Sequence, residues 1–164
     1  MIEKPLEAHP AILAGDVGAG AAFGALLALL PLAAALMLTS AQLSVPLPLL
    51  AGWLLGAVAF SSLGVLMAAP ATDTPSQVMM LSNLVRLPLI FVSGVFVPHA
   101  QMPVWGQWLS PLSPLSYCAD LIRVGFGGTA YFSVATDVLA LAGFTVAFMA
   151  AAHFFHRRAR NRLA

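Results

Sequence analysis

The sequence predicts an all-α, polytopic membrane protein: four transmembrane helices, with a short, proline-broken hairpin hugging the membrane between the third and the fourth. Three observations carry that prediction. Hydrophobic residues make up 60% of the chain and charged residues only 8%, whereas in a water-soluble domain roughly a quarter of residues are charged. Four apolar runs, 17–39, 46–69, 75–97 and 134–155, are long enough to cross a bilayer, since about 20 residues at 1.5 Å each cover about 30 Å of hydrocarbon. Between the last two runs, Pro98, Pro103, Pro111 and Pro114 interrupt any continuous helix, because each lacks an N–H and crowds the preceding turn. Trp105, Trp108 and Tyr117 remain in that stretch as amphipathic rings that settle at headgroup depth.

Residues 1–16 are polar, divided by Pro5 and Pro10, and read as a lead-in at the membrane surface. Charges precede the first apolar run without the short basic region and small-residue cleavage site of a secretory signal. The first span, 17–39, is free of charge and contains Pro31, which is expected to kink it. Gly20 and Gly24 form a small-xxx-small face suited to close helix packing; the glycines at 18–24 lack the spacing, preceding strand and acidic partner of a dinucleotide fingerprint. The second span, 46–69, repeats the pattern with Gly52 and Gly56, carries Trp53 near its entry, and places Ser61, Ser62 and Gly64 further in. The two serine hydroxyls either return hydrogen bonds to the helix's own carbonyls or contact a substrate. Thr74, Pro75 and Gln77 read as a capped start for the third span, 75–97. Arg86 falls near its middle, where a charge is costly unless it faces protein or water and finds a partner. It is therefore an intramembrane functional candidate, or else pairs with a neighbouring helix in an assembled dimer.

The hairpin, 98–130, has two arms. The first, about 103–109, sets Trp105 and Trp108 on one face. The second starts with Ser113 as N-cap and Pro114 at the first helical position, and runs to about Phe126. Asp120 and Arg123 lie three apart and can pair; glycines at 125, 127 and 128 end the arm. The last span, 134–155, has Asp137 near one end and is followed by a basic tail, 156–164. Four of the seven basic residues, Arg157, Arg158, Arg160 and Arg162, stand there. By the positive-inside rule the tail is cytoplasmic; an even number of spans puts the N-terminus on the same side and the hairpin outside.

Pro88, then Ser93-Gly94 with Phe96 and Pro98, then Met102-Pro103 with Trp105, then Pro111, Pro114, Tyr117, Asp120 and Arg123 together resemble the signature of ABC-2 type permeases, the membrane subunits of type 2 ABC exporters. The resemblance implies that this stretch is the fifth span, an extracytoplasmic re-entrant helical hairpin and the approach to the sixth span. It also implies that only the C-terminal four spans of a six-span subunit are represented, as in a truncated or split permease or one whose start is misplaced. Ser93, Gly94, Pro98, Pro103, Trp105, Pro114, Tyr117, Asp120 and Arg123 are then candidates for hairpin position and gating. The implied partners are ABC ATPase subunits, which the cytoplasmic lead-in would touch, and a second permease subunit, identical or related. The implied location is the plasma membrane, the cell's inner membrane, and the implied activity is ATP-driven movement of a drug-like, lipid-like or oligosaccharide substrate out of the cytoplasm.

No catalytic constellation is visible. There is no Walker A sequence, so the chain is expected to hold no cofactor, with ATP and Mg bound by the partner ATPase. One cysteine, Cys118, excludes an internal disulfide and a paired-cysteine zinc site, and His153 and His156 lack further metal ligands nearby. The basic tail reads as an orientation anchor rather than a nucleic-acid surface. The reading from a different class is a small four-span scaffold or accessory protein without transport activity. Orientation is directly testable: single cysteines at Lys4 and Asn161 should label from the cytoplasm and one at Gln101 from outside, and an exterior Asn161 would reverse the orientation.

Overall fold

The computed structural model describes residues 8–38, 42–68, 75–97 and 101–160. Among the described residues six α-helices follow one another: α1 (Ala8–Leu38), α2 (Pro46–Ala68), α3 (Pro75–Val92), α4 (Val104–Leu109), α5 (Pro114–Gly125) and α6 (Val134–Arg160), with a 3-10 turn at Ser110–Leu112 between α4 and α5. Within the described residues, three stretches, Ile12–Leu38, Pro46–Ala68 and Val134–Phe155, are helical, long and apolar enough to cross a membrane, and Ser76–Val92 is a shorter apolar helix. Large apolar side chains such as Leu30, Leu47 and Leu139 stand mostly exposed, as expected where the surrounding solvent is lipid rather than water.

Three boundaries differ from expectation, one of them at the end of α6, which runs on to Arg160 and takes in part of the expected tail. The first helix begins at Ala8, so residues 8–16 continue it rather than forming a separate lead-in; Pro10 falls in its first turn, where the missing N–H has no intrahelical partner to lose. The third helix ends at Val92, five residues short of the expected Val97. At Ser93 the hydroxyl donates back to the Ile90 carbonyl at 2.7 Å, and Gly94 takes a positive φ of 81°, a conformation that side-chain-bearing residues rarely adopt. The residual helix is about 27 Å long, below the about 30 Å of a hydrocarbon core. Thr74 and Pro98 lie outside the described residues.

The bundle is built around α2. α1 runs antiparallel to it, tied where Trp53 Nε1 donates to the Ala25 carbonyl at 3.2 Å and Ser61 Oγ to the Val17 carbonyl at 2.9 Å. α5 is antiparallel to it as well and packs on it through glycines. A Cβ added to Gly125 would stand 2.6 Å from Leu49 Cβ, one on Gly52 2.8 Å from Leu121 Cβ, and one on Gly56 2.7 Å from Cys118 Sγ. The glycines on α2 thus admit the hairpin's second arm rather than another long span. Cys118 fills the approach, its Sγ 3.3 Å from the Gly52 carbonyl. Gly56 lies about 15 Å along α2 from Pro46, so α5 follows the Pro46 half of α2 and is bound at its far end by the Ser44 and Val45 N–H groups, which donate to the Gly125 carbonyl at 3.1 Å. α6 completes the core: Ala59, Tyr117, Cys118, Leu121 and Leu141 pack together.

Gly56 and Gly24 provide a paired test. A side chain on Gly56 meets Cys118 Sγ, whereas one on Gly24 meets nothing within 4 Å. Gly56→Val should therefore lower stability by about 1–3 kcal/mol through overpacking, read as the thermal midpoint in detergent, while Gly24→Val should leave it unchanged. Equal midpoints for the two variants would mean that α5 does not dock on α2.

Candidate functional site

Two short helices, α4 and α5, occupy the proline-interrupted stretch. Pro103 precedes α4 as its N-cap, and its carbonyl accepts from the N–H groups of Gly106 and Gln107 at 2.8 and 3.2 Å. Trp105 and Trp108 are 66% and 78% exposed. Ser113 is the N-cap of α5 with Pro114 at the first helical position, but its side chain makes no capping bond. The Ser113 hydroxyl reaches instead to the Leu89 carbonyl of α3 at 3.4 Å, so the start of α5 is held against the end of α3. Within the bend, Ser110 Oγ donates to Ser116 Oγ at 2.9 Å and Ser116 Oγ to the Ser110 carbonyl at 2.8 Å.

Tyr117 does not behave as the interface ring that its sequence context suggested. It is buried, its hydroxyl donates to the Pro111 carbonyl at 2.9 Å, and its ring packs on Phe132 and Phe144 with centroids 5.1 and 6.2 Å away. The physical reason lies in the two surfaces a tyrosine offers: here the apolar body is used by α6, and the polar tip is satisfied by the hairpin's own backbone.

Asp120 and Arg123 pair as their spacing predicted, with Arg123 Nη1 3.2 Å from Asp120 Oδ1. That contact is the lesser part of the arrangement. Asp120 is 2% exposed, and its carboxylate accepts the Tyr131 N–H at 2.8 Å and the Phe132 N–H at 2.8 Å. These two amides belong to the segment that leads into α6, so one carboxylate joins the end of the hairpin to the start of the last helix. Hydrogen bonds to a charged group contribute about 1.5–3 kcal/mol each, whereas an ion pair whose cation is partly in solvent contributes under about 1 kcal/mol. The backbone amides therefore dominate. Arg123 also donates from Nη2 to the Gly94 carbonyl at 3.5 Å, which links the turn after α3 to α5. Ser93 and Gly94 are buried at that turn.

Sequence spacing gave no sign of the Tyr131 and Phe132 amides, because a backbone donor leaves no mark on residue type. A second carboxylate stands at the start of α6. Asp137, in the first turn of α6, is fully buried and neither oxygen has a hydrogen-bond partner among the described residues. Ser133 caps that helix, its Oγ accepting the Thr136 N–H at 3.1 Å.

The remaining candidates line a groove of about 830 Å³ between α1, α2, α3 and α5. Gly20, Gly24, Gly52 and Gly56 all face it, and so does Arg86. Gly20 packs tightly on Ser61, while Gly24 touches nothing within 4 Å and serves as open wall. Arg86 is exposed rather than buried. Ser61 is bonded across to α1 and Ser62 returns to the Val58 carbonyl at 2.8 Å. Among the described residues no group of metal-ligating side chains assembles.

A family model described as "ABC-2 type transporter" matches residues 2–127, which covers α1 through α5. The inner membrane transport permease YadH of Escherichia coli K12 is 31% identical over 148 residues, covering 90% of this chain and 57% of the relative. The proteins of the same name in Escherichia coli O157:H7 and Shigella flexneri match over the same extent and at the same identity. The chain thus spans little more than half the length of these curated relatives. No solved structure matches.

The Asp120 geometry makes an unusual mutational forecast. If pairing with Arg123 were the main contribution, exchanging the two charges would preserve it. Because a guanidinium does not accept hydrogen bonds, Asp120→Arg combined with Arg123→Asp should be no more stable than Asp120→Ala, each losing about 3 kcal/mol or more, whereas Arg123→Ala should lose under about 1 kcal/mol. Thermal unfolding in detergent measures all three, and recovery in the exchanged variant would restore the ion pair as the dominant contact.

Proposed function

Since the chain belongs to the ABC-2 type transporter family, we propose that it is the permease subunit of an ATP-driven exporter in the inner membrane, moving a drug-like, lipid-like or oligosaccharide substrate out of the cytoplasm. The observation that carries the mechanism is that α5 docks inside the bundle and forms part of the wall of the groove, although proline-interrupted backbone precedes it. In this reading α1, α2, α3 and α6 are four spans, and the chain from 98 to 130 is an extracytoplasmic re-entrant hairpin. α5 descends from a loop level with the Pro46 end of α2, and its start meets α3 about halfway through the bundle. α3 and α5 then share one crossing, which accounts for a third helix shorter than a bilayer is thick.

The groove and the hairpin divide the work. The groove is mostly apolar, open to one side and lined by small residues, which suits the passage of an amphipathic molecule more than that of a free ion. The hairpin forms its outer wall and is bound to α3 through Ser113 and Arg123 and to the start of α6 through Asp120. A displacement of α3 or α6 on the cytoplasmic side would therefore be delivered to the outer wall as one movement, since neither helix shifts without drawing on α5. Energy for that displacement comes, in this proposal, from ATPase subunits on the cytoplasmic face, with ATP and Mg bound there, and a second permease subunit completes the pathway.

The chain purified alone should hydrolyse no ATP above background, and it should co-purify with a separately encoded ATPase whose hydrolysis drives substrate movement in reconstituted vesicles. Robust hydrolysis by the isolated chain, or vesicles in which the ATPase turns over without any ATP-dependent flux, would end the exporter reading and favour an accessory membrane protein.

A further inference from the structure

The groove carries two charges of opposite sign, Asp16 on α1 and Arg86 on α3. Neither forms an ion pair among the described residues, where Asp120 and Arg123 are the pair that is made. Hydrogen bonds across the helices set their depths. Val17 is level with Ser61, since Ser61 Oγ reaches its carbonyl, so Asp16 stands beside residue 62 of α2. Ser82 Oγ meets Met67 Sδ at 3.8 Å, and Arg86 lies one turn further along α3, which in an antiparallel arrangement brings it level with Leu63. The two charges therefore face the groove at one depth, about 8 Å from the Ala68 end of α2. Beyond them the walls become apolar: Phe60, Gly56, Trp53 and Gly52 of α2 with Leu115 and Ile122 of α5 continue for about 12 Å toward the Pro46 end.

An acid and a base at the same level, unpaired among the described residues and separated by a cavity, are costly next to lipid unless something between them carries the complementary charges. We infer that the groove holds a zwitterionic phospholipid, its phosphate against Arg86, its ammonium against Asp16, and an acyl chain along the glycine-lined wall between α2 and α5. Charge complementarity selects this occupant. An anionic lipid would satisfy Arg86 and repel Asp16, and an uncharged amphiphile would satisfy neither. Guanidinium suits a phosphate because its forked donors match two oxygens, and the small side chains of α1 and α2 leave room for a chain of methylenes. The inference rests on the permease reading and narrows its substrate class to lipid-like molecules with a zwitterionic head. A resident lipid that lines the pathway and a transported one share this chemistry.

Trp53 lines the groove and reports on occupancy. In a Trp105→Phe, Trp108→Phe background, purified in detergent, phosphatidylethanolamine with brominated acyl chains should quench Trp53 saturably, and brominated phosphatidylglycerol should require roughly tenfold more lipid. Asp16→Asn and Arg86→Gln should each weaken the phosphatidylethanolamine midpoint by roughly tenfold, as expected when a charge-assisted hydrogen bond is lost, with the thermal midpoint unchanged as the control for folding. Asp16→Asn should also remove the discrimination against phosphatidylglycerol. Equal quenching by the two lipids, or midpoints indifferent to both substitutions, would overturn the assignment. So would a change of molecular mass by light scattering in the Arg86 variant with quenching intact, which would make a second copy the occupant. The measurement needs neither ATPase nor flux, so its failure leaves the exporter reading standing, and loss of the exporter reading leaves a lipid site still measurable.

Discussion

Everything in this bundle depends on how closely α5 approaches α2. In lipid there is no gain from hiding apolar surface between helices, because the surrounding chains are as apolar as leucine, and association rests on van der Waals contact and hydrogen bonds. Dispersion falls steeply with small gaps. Gly52, Gly56 and Gly125 remove the Cβ atoms that would hold the helices apart, and Leu121, Cys118 and Leu49 fill the space that results. Once α5 is seated there, its opposite side is presented to α6, where Tyr117 meets Phe132 and Phe144.

That seating also explains how a carboxylate is kept in so apolar a protein. Asp120 is buried, but four acceptor directions are largely used: two backbone amides at the entry to α6 and the Arg123 guanidinium. A buried charge with such partners holds elements together, because removing it strands every donor at once. Asp137 illustrates the opposite condition. It is as deeply buried on the facing helix and has no partner among the described residues, an arrangement that costs about 1–3 kcal/mol. The α5–α6 seam therefore contains one carboxylate that stabilises it and one that opposes it.

The shortened α3 is a third consequence. A helix ending at Val92 leaves backbone carbonyls without intrahelical partners. Two of the nearby carbonyls are taken up by the hairpin, Leu89 by Ser113 and Gly94 by Arg123. The hairpin is thus part of the structure that terminates α3, and the groove opens beside this junction with α1 and α2 as its other walls.

Much of this was legible in the residues themselves. Composition and apolar run length determined that the chain is a bundle of membrane helices, and the prolines at 103, 111 and 114 determined where the hairpin breaks, because a missing N–H acts locally whatever surrounds it. The three-residue spacing of Asp120 and Arg123 determined that they could pair. Tertiary structure decided what those local features are for. It turned Tyr117 inward, since only the arrival of Phe132 and Phe144 makes a core at that place, and it directed the Ser113 hydroxyl to α3 instead of to its own helix. It ended α3 early at Ser93-Gly94, which the apolar residues continuing to Val97 conceal. It made the Tyr131 and Phe132 amides the principal partners of Asp120, and it set Asp16 and Arg86, far apart in the chain, at one depth across a groove. Backbone donors and helix register are set by which elements meet, and residue types along a single helix do not encode that meeting.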